Sequence, residues 1–199
     1  MINGSKCVRM LITPGDCRDE NLAADSERLE SLAVNAANEG IDFFQLREKR
    51  LSGRSLFSIT KRLVSATGGR IAIIVNGRFD VALAAGAAGV HLPGDSLPAD
   101  VVRGLVPKGF ILGVSAHTLS DIDAANSASA DYVLFGPVFS TPGKGVPLGI
   151  EVLRSAVKRS ESVPVIAVGG INAETANDVL GAGAAGFAAI RYFLETVKC

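Results

Sequence analysis

Residues 130–144 read ADYVLFGPVFSTPGK, an apolar run that passes directly into glycine, proline, hydroxyl side chains and a lysine. Residues 165–172 read VIAVGGIN and follow the same plan. A short hydrophobic run without polar alternation is typical of a parallel β-strand that is covered on both faces. Each segment therefore predicts a buried strand whose carboxyl end opens into residues suited to phosphate, and the shared plan indicates one site.

Similar apolar runs recur along the chain and alternate with stretches of helical periodicity. Strands are predicted at residues 8–13, 42–46, 71–76, 89–92, 111–115, 132–135, 165–168 and 186–190. Helices are predicted at residues 24–38, 56–64, 79–85, 100–105, 120–127, 150–158 and 173–180. In the first of these helices, Leu29, Leu32 and Ala36 lie three or four positions apart. Asp25 and Ser26 are its candidate caps.

The repeat of a strand followed by a helix restricts the architecture to two choices. These are a doubly wound open sheet and a closed (β/α)8 TIM barrel. Eight predicted strands favour the barrel, which belongs to the α/β class. With 199 residues, of which 48% are hydrophobic, the chain is long enough for one sizeable core and short for two. We therefore expect a single domain that spans residues 1–199.

Charge and cysteine content exclude several classes of partner. Twenty basic residues balance twenty acidic ones, so no overall field attracts nucleic acid or a membrane surface, while a small anionic ligand is still allowed. Cys7, Cys17 and Cys199 lack metal-ligand spacing, which indicates reduced thiols in the cytosol. The amino terminus is polar and no apolar run reaches about 18 residues, so neither a signal peptide nor a membrane span is predicted. The expected location is the cytoplasm.

In a barrel of this kind the active site lies at the carboxyl ends of the strands, where the loops to the helices converge. Polar and glycine residues follow each predicted strand from the second to the eighth. They are Gln45, Arg47 and Lys49, Asn76, His91 and Asp95, Ser115 and His117, Thr141 and Lys144, Gly169 and Gly170, and Ile190 and Arg191. Barrel enzymes often bind phosphate between the last two strands, and the glycine pair at 169 and 170 fits that role.

Structural explanations compete with functional ones for several of these residues. His91 and His117 each follow an apolar run, where a hydrogen-bonded structural histidine is commoner than an acid–base group. Arg47 and Lys49 also fit a solvated strand end, with Glu48 paired to either of them. Other structural roles remain open for Asn76 as a helix cap, for Gly169 and Gly170 as a tight turn, and for Lys144 as a flexible loop side chain.

Six short motifs occur in a fixed order from the second strand onward. They are QLREK at 45–49, VN at 75–76, GVHL at 89–92, GVSAH at 113–117, FGPVF at 135–139 and VGGIN at 168–172. With these motifs the sequence resembles the thiamin phosphate synthase and TenI family, and the likeness covers most of the chain. The fold that this resemblance implies is the (β/α)8 barrel, which agrees with the count of predicted strands.

The resemblance also implies an activity, in which a hydroxymethylpyrimidine diphosphate is joined to a thiazole phosphate and diphosphate is released. Lys144 and Thr141 then match the loop that holds the departing diphosphate, and Arg47 and Lys49 match the residues that grip it. Asn76 and Ser115 match further pocket residues; with Lys144 and Arg47, Ser115 is a candidate catalytic residue. Since little proton transfer is needed, positioning and charge neutralisation supply most of the acceleration.

The sequence departs from the synthase pattern at the positions that bind Mg²⁺. Synthases of this family usually carry one Asp after the Val-Asn pair and another in the loop after the fourth strand, whereas this chain has Gly77 and Ser96. Asp95 is the nearby carboxylate that remains. Protein ligands alone are therefore not expected to hold the ion, although a diphosphate can carry Mg²⁺ with it. Arg191 stands where synthases usually have Ser.

Two alternatives to the synthase remain open. Residues 75–83, 91–94 and 132–136 resemble the TenI branch, whose activity is metal-free tautomerisation of a thiazole phosphate. That activity uses a His directly after the Phe-Gly pair, where this chain has Pro137. Because both patterns are incomplete, a non-catalytic binder of phosphate ligands is the third alternative. The expected partners are small phosphorylated substrates, without nucleic acid or membrane, and a homo-oligomer is left open.

Overall fold

Eight strands and eight helices alternate along the chain in a computed structural model that describes residues 7–197. The strands are β1 Val8–Ile12, β2 Phe43–Leu46, β3 Ala72–Asn76, β4 Gly89–Leu92, β5 Ile111–Ala116, β6 Tyr132–Phe135, β7 Val165–Val168 and β8 Gly186–Ala189. The helices are α1 Leu22–Asn38, α2 Gly53–Thr67, α3 Phe79–Ala85, α4 Ala99–Leu105, α5 Leu119–Ser127, α6 Ile150–Arg159, α7 Ala176–Gly181 and α8 Arg191–Thr196. A 3-10 turn, Asp19–Asn21, precedes α1.

All neighbouring strands are parallel, and the sheet closes on itself. Met10 of β1 lies opposite Phe43 of β2 on one side and opposite Ala188 of β8 on the other. Strand order follows the sequence around the ring. The predicted (β/α)8 barrel is therefore confirmed, and the carboxyl ends of all eight strands meet at one rim.

Two hydrophobic layers hold the barrel together. The inner cluster fills the space enclosed by the strands and comprises Val8, Met10, Ile12, Phe43, Ile74, Tyr132, Leu134, Ile166 and Ala188. The outer layer packs the apolar faces of the helices, such as Leu29 and Leu32 of α1, against the outside of the sheet. Because apolar strand residues point both inward and outward, the strands read as continuous hydrophobic runs.

Predicted and observed strand bounds differ by at most a residue at either end, but some helices begin elsewhere. α1 begins at Leu22, so the prediction of Asp25 and Ser26 as caps is wrong. The Ser26 hydroxyl instead donates to the Leu22 carbonyl, and Asp25 accepts the backbone N–H of Arg18. Helix α8, which directly follows the last predicted strand, was not predicted.

Within residues 7–197, no helix combines the length and the hydrophobicity that crossing a bilayer requires. Cys7 and Cys17 are both thiols in this part of the chain, as the sequence predicts. Burial, and then the nearby Glu48 carboxylate, raise the pKa of the Cys17 thiol to about 12. The predictions for Cys199 and for the polar amino terminus lie outside the described residues.

Candidate functional site

A cavity of about 880 Å³ opens at the carboxyl rim of the barrel. Every predicted site residue except Asp95 lines it: Gln45, Arg47, Lys49, Asn76, His91, Ser115, His117, Thr141, Lys144, Gly169, Gly170, Ile190 and Arg191. These residues come from distant parts of the sequence, and parallel strands of similar length bring them together. Their shared location does not by itself assign a role to any of them.

The floor of the cavity is a polar network on β2 to β5. The Gln45 side-chain amide donates to Asn76 Oδ1 over 3.1 Å, and His91 Nε2 is hydrogen-bonded to Ser115 Oγ over 2.9 Å. Helix α3 takes Arg78 as its N-cap, so Asn76 does not serve as the helix cap. Gln45 Oε1 and His91 Nδ1 are buried without a hydrogen-bond partner among the described residues. Such atoms are costly unless a ligand or water meets them.

The two histidines differ in exposure. His91 is 2% exposed, and burial, followed by the positive charge of Arg47, lowers its pKa to about 3. Its ring is therefore neutral at physiological pH and stacks on Tyr132. His117 is exposed, and its Nδ1 donates to the Gly136 carbonyl at the start of the sixth loop. Both rings thus make structural contacts while lining the cavity.

Four cationic side chains surround the cavity, namely Arg47, Lys49, Lys144 and Arg191. The described lining contains one carboxylate, Glu195. Local charge is therefore strongly positive although the chain as a whole carries no net charge.

Glu48 does not neutralise its neighbours Arg47 and Lys49, so the ion pair considered from the sequence is wrong. Its side chain is 4% exposed, and its carboxylate accepts the backbone N–H groups of Gly15 and Cys17 over 3.1 and 2.9 Å. A buried carboxylate needs such partners to offset the loss of hydration. Glu48 therefore holds the loop after β1, and the charges of Arg47 and Lys49 remain available to a ligand.

The sixth and seventh loops are joined by backbone hydrogen bonds. Val138 donates to the Val168 carbonyl over 2.9 Å, and Phe139 donates to the Gly169 carbonyl over 3.0 Å. Gly169 and Gly170 have φ of +98° and +66°. A Cβ at Gly170 would lie 2.6 Å from the Ser140 carbonyl oxygen. The glycine pair is therefore needed for this close approach, whether or not it also binds phosphate.

Within residues 7–197, the carboxylates do not form a Mg²⁺ site at the cavity. Asp95 is exposed and does not line it, and the Ser96 hydroxyl donates to the Leu97 carbonyl. Gly77 contributes no side chain. The acidic and thiol group formed by Asp16, Cys17 and Glu48 is a separate cluster, in which Glu48 already accepts two amide N–H groups. The residues present therefore do not fit an ion held by protein ligands.

Several lining residues lie outside the strand-end segments indicated by the sequence, among them Ile12, Pro14, Tyr192 and Glu195. Others lie within those segments but were not singled out as site residues, among them Pro93, Gly94, Ser140 and Asn172. Pro14 directly follows the first predicted strand. The expectation that site residues lie at the carboxyl ends of the strands would have identified it, had it been applied to this strand as well. Tyr192 and Glu195 belong to α8, the helix that was not predicted. Their position carried no local signal.

The sequence matches the family described as thiamine monophosphate synthase over residues 11–193. It is 42% identical to the thiamine-phosphate synthase of Methanoculleus marisnigri over 164 residues, which cover 80% of this chain and 77% of the relative. It is 40% identical to a putative thiamine-phosphate synthase of Geobacter sulfurreducens, with 84% and 80% covered. Thiamine phosphate pyrophosphorylase from Pyrococcus furiosus superposes with a TM-score of 0.78 at 34% identity, with 94% of this chain and 87% of that chain covered.

Proposed function

The chain belongs to the thiamin phosphate synthase and TenI family, and we propose that its cavity joins a hydroxymethylpyrimidine diphosphate to a thiazole phosphate with release of diphosphate. It is a transferase of thiamin biosynthesis that acts on small phosphorylated substrates. A cytoplasmic location and the exclusion of nucleic acid as a partner stay predictions, and homo-oligomerisation stays open.

In the proposed reaction the bond between the pyrimidine methylene carbon and the diphosphate oxygen breaks, and its electron pair leaves with the diphosphate. The thiazole nitrogen donates its lone pair to the same carbon, so a carbon–nitrogen bond forms and the ring becomes a thiazolium. No proton has to move in this exchange. The protein's task is to align the two reactants and to stabilise negative charge as it develops on the leaving group.

The observation that carries this proposal is the set of four cations around one cavity with a polar floor. Arg47 and Lys49 are placed to grip the diphosphate, and the exposed Lys144 can approach it from the sixth loop together with Thr141. The glycine pair offers backbone N–H groups to the thiazole phosphate, and Arg191 at the start of α8 adds a further cation to the cavity.

The floor suits an aminopyrimidine, which carries both hydrogen-bond donors and acceptors. Gln45 Oε1 has no partner among residues 7–197 and can accept from an amino group. Ser115, held by neutral His91, can donate to a ring nitrogen. Asn76 orients Gln45, and His117 orients the sixth loop through Gly136. The proposed roles thus follow from contacts that each side chain already makes.

Variants of Arg47 and Lys144 test the proposal through the rate of thiamin phosphate formation. Arg47→Ala should chiefly raise KM, because it removes a contact to bound substrate. Lys144→Ala should lower kcat by about tenfold or more, roughly 1.4 kcal/mol, because its contact strengthens as the diphosphate leaves. Lys108→Ala and Arg154→Ala, which change surface residues outside the cavity, are the matched controls. Wild-type kinetics in the double variant Arg47→Ala/Lys144→Ala would remove the assignment.

The absent carboxylates at positions 77 and 96 favour a second candidate, a metal-free tautomerase of thiazole phosphate. Supplying thiazole phosphate alone and following its isomerisation by NMR distinguishes the two. Isomerisation without any thiamin phosphate formation from both substrates would assign the chain to the tautomerase. Binding without either reaction would leave the non-catalytic binder.

A further inference from the structure

We propose that cationic side chains neutralise the diphosphate in this cavity, and that the protein itself holds no divalent cation for this purpose. These side chains include Arg191, which stands where synthases of the family usually have Ser. The inference rests on the proposed function in one respect, since it takes the diphosphate of that reaction as the ligand. It concerns how this chain's own residues supply positive charge where its family uses a metal site.

The first support is the pairing pattern of the cationic side chains. Among residues 7–197, the cavity residues Arg47, Lys49, Lys144 and Arg191 form no ion pair with a carboxylate. Elsewhere, the arginines commonly do so, as in Arg28 with Asp16 and Asp25, Arg62 with Glu30, Arg78 with Asp80, Arg103 with Asp131, Arg154 with Glu151, and Arg159 with Asp123. Unpaired cations gathered around one concave surface indicate an anionic ligand.

The second support comes from positions 77 and 96, where synthases of the family usually carry the Asp residues that bind Mg²⁺. Gly77 has φ of +75°, and a Cβ there would meet nothing closer than Pro93, at 3.9 Å. A Cβ at position 77 would therefore not be crowded, and it is the positive φ that favours glycine there. Asp95 is exposed outside the lining. Mg²⁺ requires several hard oxygen ligands in near-octahedral order, and the rim here offers none of the family's carboxylates.

The third support is the location of Arg191. It is the first residue of α8, directly after Ile190, and it lines the cavity together with the glycine pair of the neighbouring seventh loop. A guanidinium presents several N–H donors in one plane, which suits bidentate contact with phosphate oxygens. Arg191 thus adds a full positive charge to the same cavity that Arg47 and Lys144 line.

The fourth support is the electrostatic effect that is already visible inside the cavity. The pKa of His91 is lowered first by burial and then by the charge of Arg47. The charge of Arg47 therefore reaches the buried floor of the cavity, where it also acts on a bound ligand.

Calorimetric titration with inorganic pyrophosphate tests the proposal without relying on turnover. The wild-type protein should bind pyrophosphate in buffer containing EDTA with a Kd within about threefold of the Kd measured with Mg²⁺, roughly 0.6 kcal/mol. Arg191→Ser should weaken binding in EDTA by about tenfold, and Arg191→Lys should recover most of the loss. Arg54→Ser, an exposed arginine outside the cavity, is the matched control and should bind as the wild type does.

A second pair of variants asks whether a metal requirement can be introduced. Gly77→Asp/Ser96→Asp should weaken pyrophosphate binding in EDTA by about tenfold and regain it with Mg²⁺. Gly77→Asn/Ser96→Asn is the neutral control, because Asn has the same shape and also tolerates positive φ. It should bind without metal. Thermal unfolding by circular dichroism confirms that each variant is folded.

The proposal is overturned if wild-type pyrophosphate binding disappears in EDTA and returns with Mg²⁺, or if no binding occurs in either buffer. Unchanged affinity in folded Arg191→Ser overturns the role of Arg191. Failure of the proposed function has a different signature. Pyrophosphate then binds in EDTA as expected, and no thiamin phosphate forms from the two substrates.

Discussion

Burial determines the charge of His91. His91 lies within β4 and His117 directly follows the adjacent strand β5, but His91 is buried at the floor of the cavity and His117 is exposed at the rim. Desolvation disfavours the charged ring, so the pKa of His91 falls to about 3. His91 is therefore a neutral hydrogen-bonding partner of Ser115 and is unsuited to acid–base catalysis near neutral pH.

The depressed pKa of His91 predicts how stability depends on pH. Between the ordinary pKa of 6.5 and the folded value of about 3, the unfolded chain binds a proton that the folded protein does not. His91 therefore lowers the free energy of unfolding as pH falls through this window, by at most about 1.4 kcal/mol per pH unit. Urea denaturation of His91→Gln from about pH 7 to about pH 5 should show a shallower fall than the wild type.

Val146→Ala is the control for this experiment. Val146 is 87% exposed and carries no ionisable group, so its replacement should leave the dependence of unfolding free energy on pH close to that of the wild type. Equal slopes for the wild type and His91→Gln would contradict the assignment of a neutral, buried ring.

At the scale of the element, a hydrogen-bonded turn in the seventh loop determines where helix α7 begins. Asn172 Oδ1 accepts the backbone N–H groups of Glu174 and Thr175 over 2.9 and 3.0 Å, and Thr175 Oγ1 accepts the N–H of Asn172 over 3.0 Å. Helix α7 consequently begins at Ala176, three residues after the predicted start at 173. Asn172 also lines the cavity, so the turn shapes the cavity wall at the seventh loop.

Asn172→Ala should lower the free energy of unfolding by about 1 kcal/mol, because two backbone N–H groups lose their acceptor. Asn172→Asp keeps an oxygen in the same place and should retain most of the stability. Chemical denaturation of the two variants and the wild type measures the difference. Equal losses in both variants would show that the side chain does not act as a hydrogen-bond acceptor.

At the scale of the whole molecule, the interior of the barrel depends on matched large and small residues. Tyr132 of β6 lies opposite Gly113 of β5 in the register of the sheet, and its ring occupies the space in front of that glycine. A Cβ at Gly113 would lie 2.0 Å from Cζ of Tyr132. The ring also contacts Phe43 and His91, so this packing links the apolar interior to the floor of the cavity.

Gly113→Ala should lower the free energy of unfolding by roughly 1–3 kcal/mol or prevent folding, because a close-packed interior accommodates extra atoms poorly. The double variant Gly113→Ala/Tyr132→Leu should lose less than the sum of the two single changes. Gly104→Ala is the control, since this glycine lies in α4 with no atom within 4 Å of a new Cβ. Additive losses in the double variant would exclude a direct conflict between the two positions.

Most of the fold and much of the site location could be predicted because both depend on local signals. Continuous apolar runs mark buried parallel strands, and polar residues after them mark the rim of a barrel. Helix starts at Leu22 and Ala176 were less accessible, because turns and caps involve hydrogen bonds between a few specific atoms. Helix α8 was not predicted at all.

The sequence by itself therefore determined the number of strands, the class of the fold, the family and the loops that form the cavity. Only the tertiary structure decided that Glu48 holds Gly15 and Cys17 while Arg47 remains unpaired, and that His91 is buried and neutral. The physical reason is that charge pairing and desolvation depend on distances between residues far apart in the sequence. Those distances exist only once the eight strands have closed into a barrel.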